Sequence, residues 1–238
     1  GTIFSSATRG VSLSTLAVAN LSAATTYYFR VAGLNWNDAP NFTFAGSTTT
    51  AAPAPSNLAI TAVNLSSITV SFTAVAAQGY VINASTASDF TGAVYSSASL
   101  NQVASLAPQG LDPNTTYYLR AGALWGATTY YAAAIPSTST LADAPAGPLL
   151  AGVFLTSVTV NWIALPASPP DASSKTAEGY LLQASTAADF SGTLYSSATR
   201  EVSLSTLAVA NLSAATTYYF RVAGLNWNDA PNFTFAGS

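Results

Sequence analysis

From Leu212 to Val222 every second residue is apolar or small: Leu212, Ala214, Thr216, Tyr218, Phe220 and Val222. That period belongs to a strand with one buried face, and it puts Tyr219 and Arg221 on the opposite face. The enclosing stretch, Asn211 to Trp227, recurs unchanged at Asn20 to Trp36. A cousin runs from Gly110 to Trp125, with Leu111, Pro113, Thr115 and Tyr117 at the matching places. Each copy is a tight Leu-x-x-x-Thr turn followed by a strand that opens on a tyrosine: Tyr27, Tyr117 or Tyr218. Such a tyrosine can return its hydroxyl to the backbone of the turn. Three copies of one motif imply three copies of one unit, the first cut short.

The same alternation predicts seven strands in the middle unit, residues 51–140, lettered A, B, C, C′, E, F and G in chain order: Leu58–Val63, Ile68–Phe72, Tyr80–Ala84, Ala93–Ser97, Val103–Leu106, Tyr117–Ala123 and Thr128–Ala133. The last unit, 141–238, repeats the scheme at Leu149–Val153, Val158–Trp162, Tyr180–Ala184, Thr193–Ser197, Thr206–Val209, Tyr218–Gly224 and Asn232–Ala236. Its second loop, Leu165 to Glu178, is longer than the counterpart and contains Pro166, Pro169, Pro170 and Lys175. Loops are where sandwiches diverge while their strands stay fixed.

Leu111-Asp112-Pro113-Asn114-Thr115-Thr116-Tyr117 resembles the tyrosine corner and strand F of fibronectin type III domains. The other two copies have Ala23 and Ala214 where that family prefers proline. Thr156 to Trp162 resembles its strand B with the buried tryptophan, and Phe72 takes that slot in the middle unit. The resemblance covers the whole chain and implies an all-β fold of tandem immunoglobulin-like, Greek-key sandwiches. Tyr27, Tyr117 and Tyr218 become corner tyrosines, and Phe72 and Trp162 core anchors. It also implies adhesion as a common use, although no Arg-Gly-Asp tripeptide is present.

Residues 1–47 repeat as 192–238 with three differences: Ile3 for Leu194, Phe4 for Tyr195 and Gly10 for Glu201. The period, Gly1 to Gly192, is 191 residues, about two sandwich domains. Residues 1–50 are therefore expected to carry strands C′, E, F and G without A, B and C, and not to fold alone. Either they are a window on a longer repeat or a neighbouring molecule completes them. Thr48 to Pro55 and Leu141 to Pro145 read as short joints stiffened by proline.

Composition narrows the role. The chain of 238 residues has no Cys, Met or His, and only 6% of it is charged, for a net charge of −3. Thiol chemistry, imidazole ligation and Ser-His-Asp catalysis are excluded. The absence of a basic patch argues against nucleic acid, and no apolar run reaches the length of a membrane span. The nine acids are scattered, with Asp89, Asp112, Asp189 and Asp229 all at turns. No enzyme, cofactor or metal is expected. A charge-poor surface with weak self-repulsion favours close side-by-side packing.

The candidate contacts are Trp36, Trp125 and Trp227 near the F–G loops, and Tyr219 and Arg221 on an outward sheet face with Leu181 and Gln183. A loop tryptophan beside asparagines can stack on a sugar; it can equally cap its own sandwich or bury against the next domain. Phe90 and Phe190 are expected to plug the sandwich edge, and Phe233 and Phe235 to face the core of strand G. Seven Asn-x-Ser/Thr sequons, at Asn20, Asn41, Asn64, Asn83, Asn114, Asn211 and Asn232, are expected from composition alone. The favoured reading is a structural segment of a bacterial-type, repetitive extracellular or cell-surface protein, a stalk, filament or sheath. Its partners would be copies of itself or adjacent repeats. The competing reading is a glycan- or receptor-binding accessory module using the loop aromatics.

Overall fold

The computed structural model describes residues 1–165 and 176–238; Pro166, Pro169, Pro170 and Lys175 of the long loop lie outside the described residues. Every regular element in it is a strand. The chain opens on a hairpin of β1 (Thr26–Leu34) and β2 (Pro40–Thr49). A first sandwich follows, made of β3 (Ser56–Val63), β4 (Ile68–Thr73), β5 (Gly79–Ser85), β6 (Val94–Ser99), β7 (Ser105–Leu106), β8 (Thr116–Trp125), β9 (Thr128–Tyr131) and β10 (Ser137–Ser139). The second has β11 (Ala146–Val153), β12 (Val158–Ile163), β13 (Gly179–Ser185), β14 (Leu194–Thr199), β15 (Thr206–Val209), β16 (Tyr219–Leu225) and β17 (Pro231–Gly237).

In the first sandwich β3-β4-β7 faces β10-β8-β5-β6, and in the second β11-β12-β15 faces β14-β13-β16-β17. All pairs are antiparallel. The inward residues of each pair of sheets make a separate core. Ile68, Val70, Phe72, Tyr80, Ile82, Tyr117 and Leu119 fill one, and Val158, Val160, Trp162, Tyr180, Leu182, Phe220 and Val222 the other. Phe72 packs on Tyr80 at 5.0 Å between ring centres, and Trp162 on Tyr180 at 4.9 Å.

Three expectations need correcting. The last strand of the first sandwich is split: β9 pairs one end of β8 and β10 the other, because the chain leaves the ladder over residues 133–135, between the Ala132 N–H on the Ala121 carbonyl and the Pro136 carbonyl on the Leu119 N–H. In residues 1–50 only strands F and G form, as β1 and β2, and residues 1–25 contain no strand. The cause is missing partners. C′ ladders onto C and E onto B in the complete sandwich, and neither B nor C precedes β1. Even so, Phe4 meets the edge of Tyr27 at 5.8 Å, the contact that Tyr195 makes with Tyr218.

Phe233 and Phe235, finally, do not enter the core. Register pairs Phe233 with Ala223 and Phe235 with Arg221, on the outer face. Ala236, next along the strand, faces inward; it is the extra residue of a bulge opposite Phe220 and Arg221, which Gly237 closes at φ 124°.

Candidate interaction site at the sandwich joint

Corner tyrosines pin the turn before each F strand. The backbone N–H of Ser22 donates to the Tyr27 hydroxyl at 2.8 Å, that of Asp112 to Tyr117 at 3.0 Å and that of Ser213 to Tyr218 at 3.0 Å. Burial pushes the Tyr117 hydroxyl up to a pKa of about 12. Sequence reasoning missed a second pair of tyrosine anchors. The Tyr180 hydroxyl accepts from the Leu165 N–H at 2.6 Å and donates to the Val202 carbonyl at 3.0 Å. Tyr80 likewise bonds the backbone of Val75 and reaches Gln102. The shared Gly-Tyr at 79–80 and 179–180 was the available signal.

Pinned in this way, the turn before β8 carries Asn114 to the end of the first sandwich, where the F–G loop of the second meets it. The Asn114 side chain is buried; its Nδ2 donates to Glu178 Oε1 at 2.8 Å and its Oδ1 accepts from the Trp227 N–H at 3.2 Å. Asn226, also buried, donates from Nδ2 to the carbonyls of Ser139 (3.1 Å) and Thr140 (2.9 Å). Its Oδ1 accepts from the amides of Asn228 and Ala230, which shapes the loop itself. Asn228 Oδ1 accepts from the Ser139 N–H at 2.8 Å, and Asn232 Nδ2 donates to the Ala142 carbonyl at 2.9 Å.

Apart from the half-buried Glu178 carboxylate, the joint is a set of carboxamides reading backbone, and a carboxamide suits that task because it both donates and accepts without adding a charge to a desolvated place. Asp143 within the linker feels the same desolvation, which raises its carboxyl above the usual range. Backbones also approach closely: a Cβ on Gly224 would lie 2.2 Å from the Asp143 carbonyl oxygen.

The loop Asn35–Asp38 is the same sequence without such a receiver. It has the same internal bonds, Asn35 Oδ1 to the amides of Asn37 and Ala39, and the same exposed ion pair, Arg9–Asp38 at 2.8 Å against Arg200–Asp229 at 2.6 Å. The loop is therefore preorganised by itself, not moulded by its partner. Trp36 stands fully exposed on it, whereas Trp227 is 49% exposed. Trp125 is half-buried in a short hairpin closed by Gly126, whose N–H donates to Gln78 at 2.8 Å.

The outer face of the second sandwich centres on Arg221. Its guanidinium lies between Phe190 (4.0 Å) and Phe233 (3.8 Å) and donates twice to Gln183 Oε1, at 2.9 and 2.7 Å. In the first sandwich Arg120 lies between Phe90 (3.9 Å) and Tyr131 (4.0 Å), and in the hairpin Arg30 lies over one ring among the described residues, Phe42 (3.8 Å). Phe90 and Phe190 are thus ring partners for arginine, not edge plugs; each sits in a turn at positive φ that swings it over the sheet. Half-buried Tyr219 shares this face, as do Leu181 and Gln183. Burial lowers the Arg221 pKa. The cation is enclosed by its own domain, so it acts as a brace for strands C, F and G, and Phe235, 58% exposed, is the apolar group that the face offers outward. Asn83 is buried beside Tyr131, and Asn114 is buried in the joint, so neither sequon is accessible in the folded chain.

No protein-family model and no curated protein matches the chain. Among solved structures it is similar to a two-domain fibronectin type III segment of chicken tenascin, at 16% identity, with 78% of this chain and 100% of that one covered and a TM-score of 0.44. It is also similar to the FN1–FN3 domains of chicken CNTN1, at 14% identity, 93% and 81% covered, TM-score 0.38. The FN5 domain of Drosophila Lar aligns at 22% identity, 39% and 99% covered, TM-score 0.34. With strands A, B and E on one sheet and C′, C, F and G on the other, both sandwiches have the fibronectin type III fold.

Proposed function

We propose that this chain is a structural repeat segment of a long extracellular or cell-surface protein, a stalk, filament or sheath in which stiffness and regular spacing are the product. The observation that carries this reading is the Asn114–Asn226 joint. Buried side chains of one sandwich satisfy backbone of the next, which fixes their mutual orientation as a flexible linker would not. The near-exact recurrence of residues 1–47 as 192–238 supports an array. Lateral packing would use the charge-poor outer faces, where Phe235 is exposed beside the enclosed Arg221. Electron microscopy of the native assembly tests the reading: ordered filaments with side-by-side contacts support it, and dispersed beads contradict it.

The half-exposed Trp227 ring favours a second reading, glycan or receptor binding at the joint. Under it, glycan-array binding is present and is lost in Trp227→Ala; under the first, no such binding occurs.

A further inference from the structure

The far ends of the two sandwiches differ in what occupies one groove. In the first, the linker crosses between two turns. The Leu141 N–H donates to the Asn64 carbonyl at 3.1 Å, and the Leu141 carbonyl accepts from the Asn114 N–H at 2.9 Å. The corresponding turns of the second sandwich hold Phe154 and Ala215, and each turn has the geometry of its counterpart. Phe154 N–H bonds the Ser157 carbonyl as Asn64 N–H bonds Ser67, and Ala215 has φ 54° against 47° for Asn114. Between them lies an open groove of about 280 Å³ lined by Val153, Phe154, Leu155, Leu212, Ala215 and Tyr218. Phe154 is 65% exposed and Leu155 78%. Among the described residues, the Phe154 carbonyl and the Ala215 N–H have no hydrogen-bond partner.

The chain holds a third view of the same turn. Ala24 is Ala215 one repeat earlier, with φ 51°, and its N–H donates to the Ala51 carbonyl at 3.0 Å. Thr50 Oγ1 meanwhile donates to the Ser22 carbonyl at 2.6 Å and accepts from the Thr25 N–H at 3.0 Å. Half of the clamp is therefore already seen around Ala51. The other half needs a β11–β12 turn, which the hairpin of β1 and β2 lacks.

We propose that the Phe154–Ala215 groove seats an extended Thr-Thr-Thr-Ala-Ala-Pro-Ala segment of the Thr48–Ala54 type, arriving directly from β17. The alanine in the place of Ala51 donates its N–H to the Phe154 carbonyl and accepts from the Ala215 N–H, as Leu141 does with Asn64 and Asn114. Size favours this occupant: the turn whose carbonyl bonds Leu141 has Asn64 where the second sandwich has the larger Phe154, and the segment offers the smaller Ala51 in place of Leu141. The two joints then have matched, non-interchangeable linkers, which sets the order of the sandwiches. This seat does not depend on the filament reading, because it concerns one chain.

The test uses the full chain extended after Ser238 by Thr-Thr-Thr-Ala-Ala-Pro-Ala-Pro. Hydrogen exchange at the Ala215 amide should slow at least about tenfold, and the second sandwich should melt about 2–4 °C higher. An extension with proline in the place of Ala51 has no N–H to donate and should lose most of the melting gain. So should the alanine extension on a Phe154→Asp chain, which as an exposed substitution leaves the fold of the unextended chain intact. Unchanged Ala215 exchange, or equal gains from the alanine and proline extensions, would overturn the proposal. So would protection that grows with protein concentration, because a second copy would then fill the groove.

Discussion

The Asn226 side-chain amide donates to the Thr140 carbonyl at 2.9 Å across the joint, while the same side chain's oxygen holds the Asn228 and Ala230 amides of its own loop. One residue therefore shapes the loop and docks it. Asn35, identical in loop and sequence, performs the first task alone.

That pairing supplies an internal control. Asn226→Asp keeps the two accepted bonds, removes the donor and sets a carboxylate against the carbonyls of Ser139 and Thr140. It should lower the stability of the joined sandwiches by about 2–4 kcal/mol in chemical denaturation. Asn35→Asp, in the exposed loop, should change stability by less than about 0.5 kcal/mol. Equal effects at the two sites would refute the docking role.

Gly224 and Gly33 form a second matched pair. A methyl at 224 meets the Asp143 carbonyl oxygen at 2.2 Å, whereas among the described residues nothing beyond the two chain neighbours lies within 4 Å of one at 33. Gly224→Ala must push the linker off the second sandwich and should cost about 1–3 kcal/mol, with faster exchange of the Asp143 amide now bonded to Thr176. Gly33→Ala should be close to neutral.

The arginine brace should tolerate no other cation. Lysine cannot lie flat between Phe190 and Phe233 and donate twice to Gln183 Oε1, so Arg221→Lys should cost about 1–2 kcal/mol. Arg30→Lys, with one ring partner, should cost less than half as much. Thermal melts of both variants check this.

Alkali should weaken the first sandwich through Tyr117. An unfolded tyrosine ionises near pH 10, and the folded one near about 12. Between these values the unfolded chain has released a proton that the folded chain retains. Stability is therefore full below pH 10 and falls as pH rises toward 12. Tyr117→Phe should be less stable at neutral pH and should show a shallower decline over that window in pH-dependent denaturation.

Strand positions were legible because a buried face imposes a period of two that the eye can follow, as in Ile68-x-Val70-x-Phe72 and Leu212 to Val222. That period fixes which residues alternate, but not which neighbour they pair with. Nor does it say which of two alternating sets faces inward: Phe233 and Phe235 alternate with Thr234 and Ala236, and pairing with Ala223 and Arg221 puts the two rings outside. Phe90 and Phe190 were misread because a positive-φ turn, which composition does not announce, aims each ring at an arginine far along the chain. The joint was hidden for a different reason. Asn114 and Asn226 are 112 positions apart, and in a chain rich in asparagine neither stands out until the backbones that they satisfy are placed side by side. In the repeated Asn-Trp-Asn-Asp the tryptophan ring stands out, whereas the asparagine side chains and the Trp227 backbone make the contact.

The central claim is that the two sandwiches are locked into one orientation by side chains that satisfy each other's backbone. Backbone ¹⁵N relaxation of the whole chain tests it most directly. The account predicts a single rotational correlation time shared by residues 56–140 and 176–238, which separates into two in Asn226→Asp. Two independent correlation times in the unaltered chain would contradict it.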